Sequence, residues 1–302
     1  MMEEFWGWRM NYWTSGPGVE RINEGRTTFY KAVPSGSTLK SERTSFYQVL
    51  RWAHNQGFIS MMPDSQPPIR AKTGKEVARP AFTYDEYKQI RTYILEKELE
   101  GFNKQPTSYG RRMFYNFVRL MFASGMRPNE LFSLRWKHLT TFKRGDSLFA
   151  RVAIPPETKT GKRTTIPIPG DFIKAIEQVR MFSKFQDKND LIIHTWKGTK
   201  VRGYPVQFEN MLSGLNIVED MYGDKRTPYS MRHSYITFRI LYGDTSKDDI
   251  ARNCGTSIGE IDDHYDHVLN EQKAESLTYV DKNAIKQESE YGKNLHDILR
   301  DL

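Results

Sequence analysis

Four short segments of this chain carry residue types suited to chemistry on a phosphodiester. In order they are Ala-Ser-Gly-Met-Arg-Pro-Asn-Glu-Leu (123–131), Glu-Thr-Lys-Thr-Gly-Lys-Arg-Thr-Thr-Ile-Pro-Ile-Pro (157–169), Tyr-Ser-Met-Arg-His-Ser-Tyr (229–235) and Gly-Thr-Ser-Ile-Gly-Glu-Ile-Asp-Asp-His-Tyr-Asp-His (255–267). Arg127 and Glu130 are spaced i,i+3 and share a helix face, so the carboxylate can orient the guanidinium. Arg232, three residues after Tyr229, supplies a second guanidinium. Two arginines can cover both non-bridging oxygens of a phosphate and offset the charge that builds in a pentacoordinate transition state. Lys159, in the Lys-Thr-Gly of an expected hairpin tip, can reach a groove and protonate a leaving 5′-oxygen. Tyr265 is the candidate nucleophile, since a phenol attacks phosphate once its proton is removed or its oxygen lies among cations.

Each residue also has a plainer reading. Arg127 with Glu130 is otherwise an exposed ion pair worth little, Lys159 a solvated turn lysine, and Tyr265 a packed core ring. The Lys-Thr-Gly tripeptide recurs at Lys72–Gly74, where no hairpin is evident. The joint order of the four segments favours the chemical reading. No His, Cys or carboxylate spacing suggests a metal site, so neither metal nor cofactor is expected.

The elements that must position these residues follow from periodicity. Residues 1–15 read as a helix whose three tryptophans pack in a core. Pro34–Thr38 reads as a turn with an N-cap ahead of a helix over Leu39–Gln56, with Phe46, Val49, Leu50 and Ala53 on one face. Residues 64–79, rich in proline and then basic, read as a linker. Thr83–Tyr87 starts a helix, and Tyr109–Ser124 is a strongly apolar one closed by Gly125. Arg127–Leu134 is expected to begin another, with Pro128 in its first turn. Leu148–Ile154 and Thr164–Ile168 read as strands joined around Thr160-Gly161. Residues 171–184, 204–215, 229–242 and 246–253 read as helices. The expected fold is therefore mainly α with a small β-sheet: a helical domain over 1–63, the linker, and a larger domain over 80–302 ending in a tail, 270–302.

Composition sets wider bounds. The 302 residues suffice for two domains. The formal net charge is +8, of which +4 falls in 1–79, +6 in 80–269 and −2 in 270–302. A polyanionic partner fits that balance. One cysteine, Cys254, excludes an internal disulfide. No apolar run approaches the roughly 20 residues of a membrane span, and the acidic, aromatic start does not resemble a secretory signal. A cytoplasmic protein is expected.

Taken together, the four segments resemble the tyrosine recombinase (phage integrase) family. Its pattern is Gly-x-Arg-x-x-Glu-Leu, a hairpin lysine, His-x-x-Arg-His, and a Gly-His pair nine residues before the nucleophile. Gly125–Leu131 matches the first box in full, and Lys159 with Ile166-Pro-Ile168 matches the second. Arg232-His233 matches the third box, and Tyr265 matches the nucleophile. Two positions depart: Tyr229 stands where a histidine is usual, and Thr256 where His or Trp is usual. Both keep a hydroxyl donor but neither is an imidazole base near neutral pH. The resemblance covers roughly 80–269, and more faintly 36–63, which is similar to the family's core-binding domain.

The resemblance implies a site-specific DNA recombinase or integrase. Its catalytic set would be Arg127, Lys159, Tyr229, Arg232, Thr256 and Tyr265. The nucleophile would form a 3′-phosphotyrosyl link without metal or ATP and free a 5′-hydroxyl, which attacks such a link on a second strand. The partner implied is double-stranded DNA at a specific recombination site, with four protomers on paired sites and a monomer possible without DNA. The N-terminal arm-binding domain that many such integrases carry is not expected here, and the tail is expected to dock on a neighbouring protomer. His233 reads as a structural residue and His264 has no assigned role. Two alternatives stay open: a DNA-binding protein of this fold with weakened or lost catalysis, and a type IB topoisomerase-like relaxing enzyme. A penicillin-binding or β-lactamase reading of Ser37-Thr-Leu-Lys40 with Lys159-Thr-Gly161 lacks the third element, Ser-x-Asn.

Overall fold

The computed structural model describes residues 2–25, 34–64, 80–100, 106–155 and 162–262. The chain divides into two compact units, Met1–Lys75 and Glu76–Leu302. Among the described residues no helix is long and apolar enough to cross a membrane.

The first unit holds α1 (Met2–Asn11), α2 (Gly18–Asn23) and α3 (Gly36–Asn55). α3 begins earlier than periodicity suggests, because the Ser35 hydroxyl accepts the Thr38 N–H at 3.2 Å and caps the helix there. Of the three tryptophans only Trp6 is buried; it packs edge-on against Phe5 and Phe46. Trp8 is 47% exposed, so the expected core role holds for one ring and not for the whole set. Arg9 grips Glu42 with both Nε and Nη2, tying α1 to α3. The apolar face of α3 is largely open, with Val49 64% exposed.

The second unit begins with Thr83, which caps α4 (Tyr84–Leu99) through a reciprocal pair: its hydroxyl accepts the Glu86 N–H and Glu86 accepts the Thr83 N–H. α5 (Pro106–Ser124) is the central element. Met113, Phe117, Val118, Leu120 and Met121 are fully buried in it, and it packs on both α7 (Pro169–Phe182) and α9 (Pro228–Tyr242). Between α5 and α7 lie α6 (Pro128–Leu131), a 3₁₀ turn over Trp136–His138, and three strands: β1 (Leu139–Arg144), β2 (Ser147–Ile154) and β3 (Arg163–Thr165). α8 (Pro205–Gly214) and α10 (Lys247–Cys254) are the remaining helices among the described residues. Helices α6 to α9 each open on proline, whose fixed φ suits a first turn and whose missing N–H would have no partner there.

The sheet is antiparallel in the order β1-β2-β3. Sequence periodicity shows β2 and β3 but not β1. The β1–β2 hairpin turns through Gly145-Asp146, with Arg144 opposite Ser147 and Gly145 at φ +59°. β3 pairs with β2 as Val152↔Thr165 and Ile154↔Arg163. It stops at Thr165 rather than running to Ile168, because Pro167 and Pro169 cannot donate to a ladder and the Ile166 N–H turns to the Asn253 side chain. The helix expected over 127–134 is a single turn, since Phe132 and Leu134 are drawn into the core as the chain bends into the 3₁₀ turn. The hairpin tip around Lys159, the linker at 65–79, and the tail with Tyr265 and His264 lie outside the described residues.

Candidate active site

Arg127 is placed by the end of α5. Gly125 stops that helix in the left-handed region at φ +60°, and its N–H still bonds Met121 O at 3.0 Å. A Cβ there would lie 2.3 Å from Cδ1 of the Tyr235 ring, so the position needs glycine twice over. Met126 is then buried, and Arg127 follows in extended backbone as the N-cap of α6. Its backbone N–H bonds Glu130 Oε2 at 2.9 Å, its Nη1 bonds Glu130 Oε1 at 3.0 Å, and its Nη2 donates to Gly255 O at 2.6 Å.

Glu130 is 1% exposed, so this pair is not the solvated one that i,i+3 spacing alone would suggest. Its second cation is Arg163, whose Nη2 donates to Oε2 at 2.7 Å. Burial by itself pushes the Glu130 carboxyl up. The Arg127 N–H and the charges of Arg163 and Arg127 outweigh that and hold it below the ordinary carboxylate range. A depressed folded value contributes stability that is fully present above the unfolded value of about 4.3 and is lost as pH falls through the lower folded one. Glu130→Gln therefore removes part of the acid dependence of the urea midpoint. It also leaves two guanidinium groups facing a neutral partner, at a cost of about 3–5 kcal/mol if it behaves as a broken buried pair. Denaturation of both forms across pH 3–7 (roughly the span about that carboxylate value) checks this; parallel curves would show that Glu130 does not titrate in the pair.

Arg232 projects from α9 and is 4% exposed. Its Nη1 donates to Gly125 O at 2.6 Å and Cys254 O at 2.8 Å. Arg163 adds a third contact to the same turn, from Nη1 to Asn253 O at 2.6 Å. Three guanidinium groups thus take three consecutive carbonyls, 253, 254 and 255, where α10 ends. Those carbonyls have no intrahelical donor, and the helix end carries partial negative charge, so cations are favoured there. Gly255 closes α10 at φ +65°. Cys254 is wholly buried beneath this turn, and burial pushes its thiol up despite the arginines around it.

Asn253 straps the turn to β3. Its Oδ1 accepts from Ile166 N at 2.7 Å and from the Thr165 hydroxyl at 3.1 Å, and its Nδ2 donates to Tyr235 Oη at 3.2 Å. Thr256 follows directly, half-buried, with its N–H on Ala251 O at 3.0 Å. Tyr229 is 41% exposed at the start of α9, one turn before the buried His233, and their rings are 6.5 Å apart. Arg127, Arg232 and Thr256 are therefore gathered around one turn, with Tyr229 at the exposed end of the Arg232 helix. Lys159 and Tyr265 lie outside the described residues. Arg163 and Asn253 were not singled out by sequence. The one available signal is weak: Arg163 and Thr165 alternate on one face of a short strand that enters the core.

A second cationic group, Arg135, Lys137 and Lys200, lines a cleft with His138 beside Ser133 and Pro155. Lys200 Nζ donates to Ser133 Oγ at 2.8 Å. Pro155 is the last described residue before the segment that carries Lys159. Among the described residues no group of three or more His, Cys, Asp or Glu side chains converges in a way that could hold a metal ion.

Residues 82–271 match the model of the phage integrase family. Solved structures share the fold at low identity. The XerH site-specific recombinase bound to difH substrate in a pre-cleavage complex has a TM-score of 0.52 at 15% identity, over 76% of this chain and 62% of that one. Its post-cleavage complex with a palindromic difH substrate has a TM-score of 0.57 at 13% identity, over 85% and 69%. The Tn1549 transposon integrase (residues 82–397) in complex with circular intermediate DNA has a TM-score of 0.52 at 17% identity, over 83% and 77%. The chain thus spans less than two thirds of the XerH chain in the pre-cleavage complex. None of the curated proteins matches this chain in sequence.

Proposed function

The chain belongs to the phage integrase family, and from that premise we propose that it is a site-specific DNA recombinase that cuts and rejoins strands through a covalent bond between Tyr265 and a 3′-phosphate. The observation that carries this reading is the convergence of Arg127 and Arg232 on the carbonyls of Gly255 and Cys254. Tyr265 stands ten residues after Gly255 along the sequence.

Arg127 and Arg232 hold the non-bridging oxygens and stabilise the charge of the pentacoordinate transition state. The Tyr265 phenol gives up its proton to solvent as its oxygen bonds phosphorus and the bond to the 5′-oxygen breaks, and Lys159 delivers a proton to that leaving oxygen. Tyr229 and Thr256 donate hydroxyl hydrogen bonds to the phosphate. A 5′-hydroxyl from a second strand then reverses the step at the phosphotyrosyl link, so bond energy is retained and no nucleotide triphosphate is consumed. Arg135, Lys137 and Lys200 take flanking phosphates, in the sequence-independent way that supplies most DNA affinity. The XerH structure holds difH substrate and the Tn1549 integrase structure holds circular intermediate DNA, and duplex DNA at a specific site is the partner proposed here. Recombination between two sites further calls for four protomers. The tail, 270–302, is proposed to hold neighbouring protomers together.

With cationic side chains supplying the charge, strand cleavage is expected to proceed at the same rate in EDTA. The test incubates the protein with paired candidate sites, with and without chelator, and scores exchanged strands. Exchange that EDTA stops and added Mg²⁺ restores, with DNA binding unchanged, would contradict the chemistry. Relaxation of supercoiled DNA without exchange between sites would point to a topoisomerase-like enzyme. Binding without cleavage would identify a chain that has lost catalysis, with Tyr229 and Thr256 the first positions to restore to histidine.

A further inference from the structure

We propose that Arg163 is a positioning residue for strand cleavage, holding the Arg127–Glu130 pair and the end of α10 in one fixed frame. This rests on the reading that Arg127, Arg232 and Tyr265 act on one phosphate. Arg163 is 12% exposed, so it is set behind the surface where a phosphate would lie. Its backbone is fixed by the sheet, opposite Ile154. From there one planar fork reaches two acceptors, Glu130 Oε2 at 2.7 Å and Asn253 O at 2.6 Å. These acceptors belong to elements far apart in sequence: Glu130 orients Arg127, and Asn253 begins the run of carbonyls that also receives Arg232 and Arg127. Arg163 also stands four residues after Lys159, in the strand that leads out of the hairpin tip.

The geometry leaves little slack. A Cβ on Gly255 would meet Arg163 Nε at 2.3 Å, so glycine is what lets the guanidinium lie flat against the turn. The Asn253 strap to Thr165 and Ile166 closes the gap between β3 and α10 on the other side. An arginine is suited to this place because a rigid fork can hold two acceptors at once, which a single ammonium cannot. Loss of that frame lets Arg127 and the α10 turn shift independently. A misplacement of about 1 Å in a cleavage geometry can cost on the order of 10²-fold in rate, and loss of an outer-layer orienting group typically costs about 10–100-fold.

The test uses the full chain as wild type, Arg163→Met and Arg163→Lys, with Tyr265→Phe as reference. Melting temperature, affinity for nicked candidate-site DNA and the single-turnover rate of covalent adduct formation are measured for each. The expected result is an adduct rate lowered about 10–100-fold in Arg163→Met, with DNA affinity within about twofold of wild type because other phosphate contacts supply it. Arg163→Lys keeps the charge beside Glu130 but cannot bridge both acceptors, so it should recover only part of the rate. It also keeps the test decisive should Arg163→Met fail to fold. A folded Arg163→Lys or Arg163→Met protein that forms the adduct at the wild-type rate overturns the proposal, as does a loss that falls equally on affinity and rate. Absence of any Tyr265-dependent adduct in the wild type overturns the underlying reading, and the proposal with it.

Discussion

Tyr265→Phe is expected to abolish the covalent DNA adduct while leaving DNA affinity close to wild type. The change removes one hydroxyl and keeps the ring. A phenyl ring has no nucleophile, so the loss should be complete rather than graded. Affinity comes mostly from many phosphate contacts and falls steeply with salt, so binding must be compared at one fixed ionic strength. Denaturing gels of protein with labelled, nicked DNA give the first quantity, and titration of the same DNA gives the second. A Tyr265→Phe protein that still forms the adduct at the wild-type rate would move the nucleophile elsewhere.

Arg127→Ala and Arg232→Ala come next in size, each expected to slow cleavage on the order of 10²–10³-fold, as loss of one preorganised donor to a charged transition state does. The structure adds a difference between them. Arg232 is 4% exposed and bonds Gly125 O and Cys254 O, so its removal also leaves two carbonyls of the frame without that donor. Lower thermal stability should accompany its loss of rate. The Arg127 side chain is 17% exposed, and in its absence Arg163 still faces Glu130, so its effect should lie more in rate than in stability. Arg→Lys at either place keeps a charge but loses the fork and should recover only part of the rate. Equal losses in affinity and rate would make both residues ordinary backbone contacts.

How much of this was legible in the sequence depends on whether a contact is local. Gly125, Arg127 and Glu130 are neighbours along the chain, and their spacing showed the pair. The N-cap within Pro34–Thr38 and the helix start at Thr83 were equally local, as was Pro128 in the first turn of α6, although the cap proves to be Ser35 and α3 to start at Gly36. β1 escaped notice because its exposed positions do not alternate cleanly and only Gly145-Asp146 marks its turn. The depth of Glu130 was hidden for another reason. Its second cation lies 33 residues away, and the carbonyl that Arg163 also holds is 90 residues from it. No periodicity reports such partners. Asn253 looks like an ordinary polar residue near a helix end until the fold brings Ile166 and Tyr235 to it. The rest of the candidate set, Lys159 and Tyr265, was legible by motif alone and lies outside the described residues.

The bond proposed between Tyr265 and a 3′-phosphate can be found directly. The wild-type chain is trapped on nicked candidate-site DNA in EDTA, digested with nuclease and protease, and the nucleotide-bearing peptide is sequenced by mass spectrometry. One modified peptide is expected, carrying its nucleotide on Tyr265 through the 3′-phosphate, with a free 5′-hydroxyl on the released strand. A nucleotide on any other residue, a 5′-phosphate link, or cleavage that leaves no protein attached would contradict it.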